Sequence, residues 1–233
     1  MTSTSRTPTM PWAIIVAGSL IAMLTFGPRS AMGFFQLPLL GDTGWDRSTF
    51  GFAMALQNLF WGVGQPFFGA FADKYGTAKV LVMSAGLYAA GLLLMAHPSS
   101  PAMLHLGGGV LIGLGIAAGS FSVILSAFAR NVTPNQRSMA FGIATAAGSA
   151  GMMVFAPLTV GLIGWIGWQQ ALIAMSGLMV LIPFLAITLR GNSSSGSQSQ
   201  AAFKQTAGQA LREALGHKSY LLLASGFFVC GFQ

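Results

Sequence analysis

The chain of 233 residues is 54% hydrophobic and only 6% charged, with a formal net charge of +7. A soluble domain is about 25% charged. The 11 basic and 4 acidic side chains cannot give a chain of this length a polar surface, so lipid must be the solvent for most of it. The positive excess forms no basic stripe with interleaved aromatics, which excludes a nucleic-acid partner. The single cysteine, Cys230, excludes an intrachain disulfide framework and a multi-cysteine metal site.

Backbone groups in lipid need internal partners, which leaves helical bundles or closed barrels. The apolar runs are long and unbroken and do not alternate as barrel strands do. The expected fold is therefore an all-α membrane protein. Arg6 ahead of the apolar run from Ala13 superficially resembles a signal peptide. No convincing small-x-small cleavage site follows, so the run reads as an uncleaved first helix. At about twenty residues per crossing, six spans are expected at Trp12–Leu40, Ser48–Ala72, Ala78–Ala96, Ala102–Arg130, Ser138–Ile163 and Trp168–Leu189. They form a six-helix bundle over residues 1–190. Gly191–Gln205 is rich in Ser, Gly and Gln, and the stretch 191–217 is expected to be a cytoplasmic linker. A seventh helix starts over 218–233 but is too short to cross, so the expectation is a truncated seventh span and a missing C-terminal half.

With the N-terminus inside, Arg6, Lys74, Lys79, Arg130, Arg137, Arg190, Lys204, Arg212 and Lys218 all fall on the cytoplasmic side. Arg47 alone falls outside, and Arg29 lies within a span. This bias predicts a multi-pass protein of a bacterial inner membrane with a cytoplasmic N-terminus.

Arg29 is the leading candidate for chemistry. An arginine at mid-bilayer costs about 2.5–3.5 kcal/mol on insertion scales, so it ordinarily faces a cavity or a partner. Pro28, with Gly27 and Gly33, can open the helix around it. A planar, permanently charged guanidinium suits a carboxylate. Three readings stay open: anion binding or gating, a structural pair with Asp42 or Asp46, and snorkelling to the outer interface. On the second span Gln57 and Trp61 share a face, beside Asn58. The amides either glue helices together or wall a cavity. Thr145 and Ser149 form an i, i+4 pair that can line the same cavity. His105 is a protonation candidate or an interfacial residue.

The loop Gly69–Lys79 (GAFADKYGTAK) resembles the cytoplasmic-loop signature of the major facilitator superfamily, Gly-x-x-x-Asp-Arg/Lys-x-Gly followed by basic residues. Thr77 and Ala78 depart from that pattern. Gly44–Pro66, with Gly-Trp-Asp-Arg-Ser opening the second span and Ser48 as its cap, is similar to the monocarboxylate and oxalate/formate porter branch. Gly113, Gly115 and the run Arg137–Gly151 look like that branch's fourth and fifth helices. The usual facilitator arginine would fall at Gly109 and is absent, as in many members of the branch.

The resemblance implies secondary active transport of a small organic anion by alternating access, with protons as possible partners. The residues themselves point to substrate contacts at Arg29, Gln57, Trp61, Thr145 and Ser149, while the resemblance implies a cytoplasmic latch at Gly69, Asp73, Lys74 and Gly76, with Arg137 as a further gating candidate. No cofactor is called for. A membrane-embedded enzyme would need convergent ionisable residues. Here Asp42, Asp46, Asp73 and Glu213 lie in loops and the histidines are scattered, which argues against one.

Overall fold

Deprived of water, each apolar run closes its own backbone hydrogen bonds as a helix. The computed structural model describes Pro11–Leu189, together with Gly216 and Leu222. The linker and the seventh run, those two residues aside, lie outside the described residues.

The first crossing is interrupted, as Pro28 suggests. Helix α1 (Trp12–Ser30) ends two residues past this proline, the chain tightens into a 3₁₀ turn over Met32–Phe35, and α2 (Gln36–Thr43) completes the passage. Proline has no N–H for the helical ladder, so a break here costs less than in regular sequence. Helix α3 (Arg47–Tyr75) follows directly. Its cap is Asp46 rather than the expected Ser48. Asp46 accepts from the Arg47 backbone N–H at 2.8 Å, and the Ser48 hydroxyl donates to the other carboxylate oxygen at 3.1 Å. A carboxylate at a helix N-terminus also meets the positive end of the dipole, an advantage a serine lacks.

Gly76 alone separates α3 from α4 (Thr77–Ala96), and its φ of +93° is a conformation that a side chain would strain. The fourth crossing is irregular. Helix α5 (Pro101–Leu104) runs into a π-helical turn at His105–Leu111 and then α6 (Ile112–Ala118). The chain extends at Ser120 and restarts as α7 (Phe121–Asn131). Helix α8 (Pro134–Ile166) is the longest, and α9 (Trp168–Met179) and α10 (Leu181–Thr188) make the last crossing.

Five of the six expected crossings are long and apolar enough to span a membrane: Trp12–Thr43, Thr77–Ala96, Pro101–Asn131, Pro134–Ile166 and Trp168–Thr188. Helix α3, at 29 residues, has the length. Gln57, Asn58 and Gln65 reduce its apolar character, and it is not among the five.

Helix α1 packs along α8, while α3 and α4 both pack on the fourth crossing. Helices α9 and α10 close the bundle against α4 and α1. Tyr88, Phe35, Phe128 and Ile112 are among its fully buried side chains. The absence of an arginine at 109 has a steric cause. A Cβ on Gly109 would stand 2.8 Å from Leu56 Cβ and 3.1 Å from the Ala53 carbonyl oxygen, so α3 occupies the space a side chain needs.

Candidate functional site

The midpoint of Trp12–Thr43 falls between Gly27 and Pro28. Arg29 is thus within two residues, roughly 3 Å, of the middle of its crossing. Its surroundings come mainly from α3. The guanidinium Nη2 donates to Asn58 Oδ1 at 2.6 Å, and Cζ lies 4.3 Å above the Trp61 ring centroid. Asn58 and Trp61 are three residues apart, hence on one helical face. Phe26 supports the tryptophan edge-on, at 6.2 Å between centroids, and itself stacks on Phe121 at 4.4 Å. Fully buried Tyr88 is close enough to Arg29 for an electrostatic interaction.

Three donors in this cluster are buried without hydrogen-bond partners, Arg29 Nε, Trp61 Nε1 and the Tyr88 hydroxyl. Buried donors are normally satisfied, and leaving one unmet costs about 1–3 kcal/mol. No acidic side chain among the described residues forms an ion pair with Arg29. Asp42 instead accepts from Trp168 Nε1 at 2.6 Å, and Asp46 caps α3, so neither forms the structural pair considered from sequence. The arrangement is a half-buried cation with an aromatic floor, a neutral clamp and unused N–H groups. Chemically, it can receive an oxyanion.

The turn between α3 and α4 is organised differently. Arg130, at the end of α7, forms an ion pair with Asp73 at 3.8 Å and donates to Thr77 Oγ1 at 2.8 Å. Arg137 Nη2 donates to the Ala129 carbonyl at 2.7 Å, an acceptor in the last turn of α7 that the helix itself leaves unused. Lys74 stacks over neighbouring Tyr75 at 5.1 Å. Gly76 supplies the turn. Gly69 has no described atom within 4 Å of where its Cβ would be, so no close helix approach depends on it.

The sequence model of the Major Facilitator Superfamily matches residues 15–233. The chain belongs to that superfamily. Membership, with the long apolar helices, makes it a multi-pass membrane protein. The MFS-type transporter YcxA of Bacillus subtilis (strain 168) is 24% identical over 78% of this chain and 45% of its own length. Monocarboxylate transporter 13 of Bos taurus is 25% identical over 77% of this chain and 42% of its own. The chain thus spans less than half the length of these curated relatives. Among solved structures, the inward-open xylose transporter XylE from E. coli superposes with a TM-score of 0.65 at 16% identity, over 92% of this chain and 55% of that one. At that identity the likeness is one of fold.

Within this superfamily fold, the residues singled out from sequence separate into groups. Arg29 and Trp61 are in direct contact. Gln57 is 3% exposed, and its Nε2 donates to the Gly108 carbonyl at 2.9 Å, so its amide joins α3 to the π-helical turn. Thr145 and Ser149 lie on an exposed face of α8 and donate to carbonyls one turn back, those of Phe141 and Thr145. No hydrogen bond joins them to Arg29. His105 contacts the Thr49 carbonyl at 3.1 Å and meets Phe52 edge-on, as an interfacial residue would. Sequence reasoning missed the roles of Asn58 and Arg130. Asn58 sits beside Gln57, but the helical phase that turns it toward α1 was readable from its three-residue spacing to Trp61. Arg130 had only its charge as a signal, and charge alone reads as topology.

Proposed function

We propose that the chain is the N-terminal half of a secondary transporter that carries a small, monocarboxylate-like organic anion across a bacterial inner membrane by alternating access. The N-terminus lies in the cytoplasm. One observation carries this reading: Arg29 stands near the middle of the first crossing with only neutral partners and with donors to spare. A positive charge at that depth gains most from a counter-ion, and an anion that arrives and leaves can supply one. The 25%-identical monocarboxylate transporter supports this substrate class, as does the suitability of a guanidinium for carboxylates.

In this reading Trp61 forms the floor of the site, and its free Nε1–H donates to the substrate. Thr145 and Ser149 line the approach along α8. A C-terminal half completes the cavity and supplies any proton- or exchange-coupling group. The turn at Gly69, Asp73, Lys74 and Gly76, joined to Arg130 and with Arg137 tied to the end of α7, closes the cytoplasmic side.

Uptake of radiolabelled lactate and oxalate by the complete transporter in proteoliposomes tests the proposal. Arg29→Ala should lower kcat/KM for the transported anion about a hundredfold, the scale of losing a buried charged hydrogen-bond partner. Uptake that survives this substitution unchanged removes Arg29 from the mechanism.

A further inference from the structure

Arg29 and Asn58 fit each other in a way that constrains what else the site can hold. Arginine only donates, so the atom facing it must be the asparagine oxygen. The amide nitrogen confirms that orientation, because Nδ2 donates to the Met54 carbonyl at 3.1 Å on its own helix. Both ends of the Asn58 side chain are therefore engaged, and the 2.6 Å bond to Arg29 aims the guanidinium. An aspartate would have nearly the same shape and a far stronger attraction, in a bilayer where charged side chains ordinarily pair with one another. Asn58 takes an edge of the guanidinium, and Cζ lies over the Trp61 ring, which is also neutral. The acidic side chains among the described residues that could have balanced it serve elsewhere, Asp42 on Trp168, Asp46 as a helix cap and Asp73 with Arg130.

We infer that Asn58 sets the charge selectivity of the site: it is a neutral acceptor that orients Arg29 while leaving the positive charge free for a carboxylate substrate. The inference rests on the anion-transport reading above and adds a residue to it. Asn58 acts as a specificity determinant through Arg29. A carboxylate at this position would be a permanent internal substitute for the substrate.

The test uses the purified complete transporter with potassium acetate, lactate and oxalate as probes and glucose as the neutral control. It measures proteoliposome uptake and the thermal unfolding midpoint in detergent. Wild-type protein should unfold at a higher temperature with the transported anion present, because a ligand bound to the native state stabilises it. Asn58→Asp should lower anion affinity at least about tenfold, the cost of competing with an internal ion pair. It should also unfold at a higher temperature than wild type without ligand, and show no rise when anion is added. Asn58→Ser keeps a neutral acceptor and should stay within about threefold of wild type.

The stability readout separates lost selectivity from simple damage, since damage lowers the midpoint. The inference is overturned if Asn58→Asp keeps wild-type affinity and its anion-dependent rise, or if it unfolds below wild type. It is also overturned if Asn58→Ser loses affinity as severely as Asn58→Asp. If wild type and Arg29→Ala alike fail to respond to any anion, the transport reading falls and takes this one with it. If Arg29→Ala alone loses the response while Asn58→Asp retains it, only the role of Asn58 falls.

Discussion

Arg29 and Arg130 are the same side chain in opposite circumstances. Arg130 sits in the last turn of α7 beside Asp73, with side-chain exposures of 38% and 76%. Water screens that pair, and exposed ion pairs contribute only about 0–1 kcal/mol. Arg29 lies near mid-crossing against an amide and an indole, with no carboxylate among its described partners. The comparison shows that the charge with a partner is energetically minor, whereas the charge without one has strength to spare. Low dielectric multiplies what an incoming anion gains at Arg29. In the proposed transport cycle, an anion site at Arg29 needs that surplus, and a latch at Asp73 needs a weak pair.

The sharpest way to break this contrast is the Arg29→Ala uptake experiment. Next in size is Trp61→Phe, which keeps an aromatic floor but removes the Nε1–H donor and weakens the cation–π contact, worth about 0.5–2 kcal/mol. The half-saturation concentration for the anion should rise about 3- to 30-fold on that basis, with the unfolding midpoint little changed. An unchanged half-saturation concentration would leave Trp61 as a packing residue. A smaller effect of a different kind is expected at Gln57. Gln57→Leu removes the bond to the Gly108 carbonyl, and interhelical hydrogen bonds in membranes average about 0.6 kcal/mol with a maximum near 1.7. Thermal unfolding should register that loss while anion affinity stays at the wild-type value. A large affinity change with unaltered stability would return Gln57 to the binding site.

The all-helical membrane fold was legible because its causes are local. Composition named the solvent, and apolar run length located the crossings, with Pro28 marking the interruption of the first. Hydrophobic runs carry no record of what lies across the interface, and the site is where that matters. Gln57 and Asn58 are adjacent amides, yet one faces the fourth crossing as a fastener while the other turns toward Arg29. Their roles depend on a helical phase difference of about 100° and on which helix occupies each side. The cap was misplaced for a related reason, since Asp46 and Ser48 are both competent and the chain's entry into α3 chose between them. The π-helical turn at His105–Leu111 was not anticipated either. Gly107 and Gly109 there pack closely on α4 and α3, but periodicity does not distinguish a widened turn from a regular one.

The mildest perturbation tests the other side of the comparison. Asp73→Asn removes the charge from the 3.8 Å pair with Arg130 but leaves a group able to accept a hydrogen bond. Arg130 keeps its bonds to Thr77 Oγ1 and to the Ser126 carbonyl and hydroxyl, so the end of α7 stays tied to the start of α4. Stability should fall by no more than about 1 kcal/mol, and by less at high salt, where exposed charges are screened. The half-saturation concentration for the anion should not move, because Asp73 lies about 22 Å along α3 from Asn58, the partner of Arg29. If the turn is a latch, the maximal uptake rate will change instead, and raising the salt concentration will shift wild type toward the variant. If neither rate nor salt response changes, the Asp73–Arg130 pair is a fixture of topology rather than of gating. A change in affinity would mean that the two arginines, so unlike in their surroundings, are coupled through the bundle.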